Sequence, residues 1–180
     1  MRLNQAGQGS SVFQLLIAAV VALAILGVLL QVLNLVNPEV GAEPSKAATD
    51  TLKSAYSSPS TLKSSQKVTF KPDTPPLNIR GIANSSGVIS SDRLCLSLGD
   101  FDETKFENAG GQGATLRYIG SGAQTAKMDV LCDYGTTELT KTLESYNLPN
   151  ANDWVGSCPS EFTSGTTQDT ICVIALRIAR

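Results

Sequence analysis

The side chains best equipped for chemistry in this 180-residue chain are four cysteines, Cys95, Cys132, Cys158 and Cys172, and the chain contains no histidine to work with them. Without imidazole the commonest general base, the Ser-His and Cys-His nucleophile pairs and every imidazole metal ligand are missing. A thiolate zinc site would need a close Cys-x-x-Cys pair, whereas these cysteines stand 37, 26 and 14 positions apart. That spacing, in an even set, points to two disulfides. Four cysteines allow three pairings. The local pair Cys158 with Cys172 would close a Gly- and Thr-rich loop and leave Cys95 with Cys132. Its rival is Cys132 with Cys172, because strand alternation puts Cys132 with Met128 and Val130, and Cys172 with Ile174 and Leu176, on inward faces.

The other motifs are weaker. Asn84-Ser85-Ser86 is an N-glycosylation acceptor pattern in an expected turn, with meaning only for an exported chain. Asp100, Asp102, Glu103 and Glu107 offer oxygen ligands but lack the glycine and spacing of an EF-hand loop, so a solvated acidic surface is expected rather than a metal site. Ser60-Thr61-Leu62-Lys63 has a Ser-x-x-Lys spacing with no other catalytic part near it. Gly110-Gly111-Gln112 reads as a flexible turn, and no glycine-rich phosphate cradle occurs. No cofactor and no enzymatic activity are expected. The chain carries 14 basic against 16 acidic residues, so there is no basic footprint for a phosphate backbone, and nucleic acid is not expected as a partner.

The elements that must position these residues begin with an apolar block. No charge lies between Arg2 and Glu39, and Leu15 to Leu30 contains no polar side chain. Val12 to Val36 amounts to about 25 residues, roughly 37 Å as a helix, which is long enough for a hydrocarbon layer of about 30 Å. The block is apolar around its whole circumference. Arg2 before it and Glu39 and Glu43 after it favour an exported C-terminus. Three roles compete: a cleaved secretory signal ending near Val40-Gly41-Ala42, a plain membrane anchor, and a helix that packs against copies of itself. Ala18, Ala19, Ala22, Ala24 and Gly27 would let such helices approach closely.

Asn37-Pro38 ends the block. Ser45 to Tyr56 then reads as a short amphipathic helix capped by Ser45, either a stem or part of the head. From about Gln66 the period falls toward 2, with strands expected at Val68–Phe70, Leu77–Ile82, Arg93–Leu98, Thr115–Ile119, Lys127–Tyr134 and Thr170–Ile178, and a helix at Thr137–Tyr146. Their short connections favour antiparallel pairing. The expected fold is α+β: a long apolar N-terminal helix followed by a β-rich antiparallel head with one or two short helices. Phe70, Leu94, Leu96, Leu98, Val130, Leu139, Trp154, Val173, Ile174 and Leu176 are the expected core.

Upstream of the apolar block, Gln5-Ala6-Gly7-Gln8-Gly9-Ser10-Ser11-Val12-Phe13-Gln14-Leu15-Leu16 resembles the class III signal peptides of archaeal type IV pilins. The matching positions are Gly7 as the last leader residue, then Gln8, Ser10 and Leu16. Val12 stands at the fifth mature position, where the family commonly has Glu. The resemblance implies a leader over 1–7, cut between Gly7 and Gln8, an apolar transmembrane or filament-core helix over 8–37, a linker over 38–65, and a disulfide-bonded extracellular head over 66–180. It further implies a subunit of a pilus-like surface filament, anchored in the cell membrane before assembly. Its partners would be copies of itself, a prepilin peptidase, the pilus assembly machinery and membrane lipid. The alternative is a membrane-tethered extracellular recognition domain that does not polymerise.

Overall fold

The computed structural model describes residues 14–27, 43–101, 103–109, 113–148, 150–159, 162 and 169–179. The chain divides into two compact units, Met1–Val40 and Gly41–Arg180.

In the first unit, residues 14–27 form one helix, α1, and every residue of it is exposed. Fourteen residues rise about 21 Å, short of a hydrocarbon layer of about 30 Å. Among the described residues no helix is long and apolar enough to cross a membrane. The expectation of a long apolar helix over 8–37 is therefore corrected to a short one.

The second unit is built around one mixed sheet. Its strands are β1 (Lys63–Ser64), β2 (Val68–Phe70), β4 (Leu94–Ser97), β7 (Gln124–Tyr134) and β8 (Thr170–Ile178). The order is β1-β7-β8-β4, with β2 on the same side of β7 as β1. β7 and β8 pair antiparallel over nine positions, from Ala126↔Ile178 to Tyr134↔Thr170. β4 runs parallel to β8, with Leu94 opposite Cys172 and Ser97 opposite Ala175. This parallel pair corrects the expected antiparallel head. The short-connection argument holds only for strands adjacent in sequence, and the chain between Ser97 and Thr170 is long enough for the crossover that parallel pairing needs.

A second sheet, β3-β6-β5, is antiparallel and consists of Leu77–Asn78, Thr115–Tyr118 and Phe106–Asn108. The unit also contains the α-helices α2 (Pro44–Tyr56), α3 (Ile79–Ser86), α4 (Gly135–Ser145) and α5 (Ala151–Gly156). Among the described residues, 66–180 thus hold at least three α-helices, more than the one or two expected. The added ones are α3 and α5. The expected strand Leu77–Ile82 is extended only at Leu77–Asn78. There the Asn78 side-chain oxygen accepts from the Arg80 and Gly81 amides at 2.9 and 3.3 Å, which starts a helix. Gly87, at φ 67°, closes it in the left-handed region that favours glycine. At the start of α2, Pro44 takes the first helical turn and Glu43 the cap position, one to two residues before the expected Ser45.

The mixed sheet is covered on both faces, so β4 and β8 are buried almost end to end. Met128, Val130, Cys132, Cys172, Ile174, Leu176, Leu94 and Leu96 point to a core shared with α2, α3 and the small sheet. There Phe106 meets the rings of Phe70, Phe101 and Tyr118 at 5.0, 5.0 and 5.2 Å between centroids. Leu131, Ile171, Val173, Ala175 and Cys95 point the other way, into a second core with Leu139, Leu143, Trp154 and Phe162. Of the ten expected core residues, nine are buried, while Leu98 lies just past the end of β4 and is half-buried. Helix α2, whose role the sequence left open, packs on the sheet through Ala48, Leu52 and Ala55.

Candidate functional site

The cysteines occupy the sheet itself. Cys132 and Cys172 are directly opposite in the β7–β8 register and are bonded, with a Cα–Cα distance of 4.1 Å. The Cys132 carbonyl accepts from the Ser60 amide at 2.8 Å, so it is turned away from β8, as at the close, non-hydrogen-bonded pairs of an antiparallel ladder. Cys95 in β4 is bonded to Cys158, just beyond α5, at a Cα–Cα distance of 5.6 Å. The expected local pair Cys158 with Cys172 is not formed. Cys172 faces the α2 side of the sheet and Cys158 belongs to the opposite core, so the sheet separates them. Gly113, at φ 68°, passes so near the second bridge that a Cβ there would lie 2.7 Å from the Cys95 sulfur, which leaves room only for glycine. Two disulfides fit an extracellular or secreted protein.

Two carboxylates that sequence reasoning missed are buried in β7. Asp133 accepts from the Ser60 and Thr142 hydroxyls at 3.1 and 2.7 Å and from the Tyr134 amide at 2.8 Å. Asp129 accepts from the Ser64 hydroxyl at 2.6 Å and from Arg177 at 2.8 Å. Arg177 also reaches Asp100 at 3.5 Å. The hydrogen bond to Asp129 holds the Arg177 guanidinium above its ordinary pKa against the opposing effect of burial. With each carboxylate saturated by hydroxyls, an amide or a cation, neither is a poised base. In the sequence they read as the solvent side of an alternating strand, and only α4 and the β8 arginine reveal them as interior.

The first turns of α2 and the β1–β2 junction enclose an open hollow of about 400 Å³, lined by Glu43, Lys46, Asp50, Thr51, Ser65 and Gln66. Its charges are mixed, and no nucleophile is paired with a base in it. Ser60 and Lys63 serve the sheet edge: Ser60 through Asp133, and Lys63 through its pairing with Val130. Among the described residues no group of three His, Cys, Asp or Glu side chains is placed to hold a metal ion. Asp100 is tied to Arg177, while Glu103 and Glu107 are exposed. Gly110, Gly111, Gln112 and Asp102 lie outside the described residues.

Of the leader motif, Gly7, Gln8, Ser10 and Val12 lie outside the described residues, and Leu16 is 59% exposed on α1. Leu15, Ile17, Val20, Leu23 and Ile25 are likewise exposed on that helix. Asn84 sits in the last turn of α3 rather than in a turn between strands, and is exposed. Among the described residues, the buried polar atoms Trp154 Nε1 and Asn108 Oδ1 have no hydrogen-bond partner. Set against protein-family models, curated proteins and solved structures, the chain finds no match in any of the three comparisons.

Proposed function

We propose that this chain is an exported structural subunit of a type IV pilus-like surface filament, in which the apolar N-terminal segment associates with its own copies and the disulfide-bonded unit is displayed. The observation that carries the reading is α1: fourteen consecutive residues without a charge, helical, and exposed at every position. A helix apolar around its whole circumference is unsuited to water and calls for apolar surroundings on all sides. Gly7, Gln8, Ser10 and Leu16 supply the processing pattern, and Cys95–Cys158 with Cys132–Cys172 supply the oxidised exterior unit. The role is assembly rather than catalysis.

The test is the N-terminal residue and intact mass of the protein from native cell envelopes. A mature chain beginning at Gln8 is expected, and Gly7→Leu is expected to leave the leader attached and abolish filaments. A start at Met1 with no filaments would overturn the reading in favour of a tethered recognition domain. A start at Glu43 would reduce the apolar segment to a secretion signal.

A further inference from the structure

We propose that Asn84 carries an N-linked glycan, added before α3 folds. The inference needs only export, so it stands or falls apart from filament assembly.

The pattern Asn84-Ser85-Ser86 supplies the acceptor amide and the hydroxyl two residues on. Helix α3 buries Ile82, Ala83 and Ser86 against the core and leaves Arg80, Gly81, Asn84 and Ser85 exposed. The Asn84 carboxamide makes no hydrogen bond among the described residues, unlike Asn78, whose side chain caps the same helix. The space over this face is open. Three residues before Asn84 and three after it, at Gly81 and Gly87, a Cβ would meet nothing within 4 Å. A substituent on Asn84 therefore starts from an exposed side chain between two open positions. Both disulfides place the unit in an oxidising compartment, where a membrane-bound transferase can meet it.

The order of events follows from Ser86. Its hydroxyl donates to the Ala83 carbonyl at 2.8 Å, accepts from the Val88 amide at 3.4 Å, and belongs to a residue only 7% exposed. In the folded unit the transferase cannot read that hydroxyl. The helix is eight residues long and contains Gly81, Asn84, Ser85 and Ser86, all poor helix formers, so outside its tertiary setting the segment is unfolded and accessible. In the transfer the Asn84 side-chain nitrogen bonds to the anomeric carbon of a sugar activated as a lipid-linked phosphate or diphosphate. The carbon–oxygen bond to that phosphate breaks, the lipid phosphate leaves as the anion, and one amide proton passes to a base of the transferase. Once attached, the glycan keeps the α3 face turned to solvent.

Cleavage after Arg80 and Arg93 releases Gly81–Arg93, a peptide with Asn84 as its one asparagine. From protein isolated from its native cells this peptide is expected to carry a sugar mass and to yield sugar fragment ions. Asn84→Gln and Ser86→Ala should abolish the addition, while Ser86→Thr should retain it. Asn84→Gln, altering an exposed side chain only, should leave the melting temperature of the unglycosylated unit unchanged. Native protein in which Gly81–Arg93 is found only unmodified would overturn the proposal. Equal modification of the folded, unglycosylated protein and of the free peptide, given the same transferase and lipid-linked donor, would overturn the proposed order.

Discussion

The two faces of the mixed sheet are packed by different means. On the α2 side the inward residues of β7 and β8, from Ala126 to Cys132 and from Cys172 to Leu176, are without exception apolar, and an aromatic group around Phe106 fills the space beneath the small sheet. On the α4 side the centre is apolar around Trp154, but Asp133 and Asp129 are buried on the same strands, Asp129 paired with a half-buried Arg177. The first face is held by apolar area and one disulfide. The second also requires that hydroxyls, an amide and a guanidinium arrive at fixed places, so it tolerates far fewer registers of β7 against β1 and α4.

The disulfides show the same contrast. Cys132–Cys172 joins two residues that are already neighbours in a nine-position ladder, whereas Cys95–Cys158 ties β4 to the short helix α5. Chain-entropy arithmetic for separations of 63 and 40 residues gives nearly the same value, about 4 kcal/mol, for each. Loop length therefore does not distinguish them. Any difference in their effect must come from what each holds in the folded state.

The largest expected effects come from opening either core. Trp154→Ala and Phe106→Ala should each destabilise by about 3 to 5 kcal/mol in denaturant titrations followed by circular dichroism. In the parent protein, fluorescence of its single tryptophan reports on the α4 side. Coincidence of that transition with the circular dichroism one is expected if both faces unfold together, and separate midpoints would mean that the two cores are independent. Next come the disulfides. Cys95→Ala with Cys158→Ala, and Cys132→Ala with Cys172→Ala, should each cost about 2 to 4 kcal/mol. Hydrogen exchange should separate them: loss of the first bridge should deprotect α5 while β8 amides stay protected, and equal deprotection would contradict the distinction drawn between the bridges.

A smaller effect is expected from Arg177→Met, which leaves Asp129 buried with only the Ser64 hydroxyl beside it. Because Arg177 is one-third exposed, the cost should sit near the low end for broken ion pairs, about 3 kcal/mol or less by chemical denaturation. The raised pKa of Arg177 means that its contribution is fully present below its ordinary value and lost only as pH rises through the higher folded-state value, so it does not titrate near neutrality. Asp92 should matter least. The Ser90 hydroxyl, donating to its carboxylate, holds its pKa below the ordinary value. Its small contribution is therefore present above that ordinary value and lost as pH falls through the folded-state one. Asp92→Asn should flatten the acid limb of the stability profile slightly and lower the neutral and alkaline stability by the same small amount without changing the slope there.

Much of the head was legible from alternation alone. Thr170–Ile178 was placed to the residue, and Phe70, Leu94, Leu96, Val130, Trp154 and Val173 were identified as core. The signals for α3, Asn78 as a cap and Gly87 just past its eighth residue as a stop, were present in the sequence, but Leu77 and Ile79 made the stretch look like a strand. Inward-facing Cys132 and Cys172 could be read from strand period, and their bond follows once β7 and β8 are neighbours. The other partner choices could not be read so. Asp129 and Asp133 follow the polar half of an ordinary amphipathic strand, and nothing local says that a helix will cover it.

Local chemistry, then, determined which segments alternate, which is apolar throughout, and that four thiols without histidine would cross-link, because these depend on neighbours within a few residues. Tertiary structure decided the parallel alignment of β4 with β8, the assignment of one disulfide to each face and the burial of two carboxylates. Each of these depends on which distant segments share a surface, and the cost of leaving a polar group unpaired or an apolar one in water is settled only when those surfaces meet.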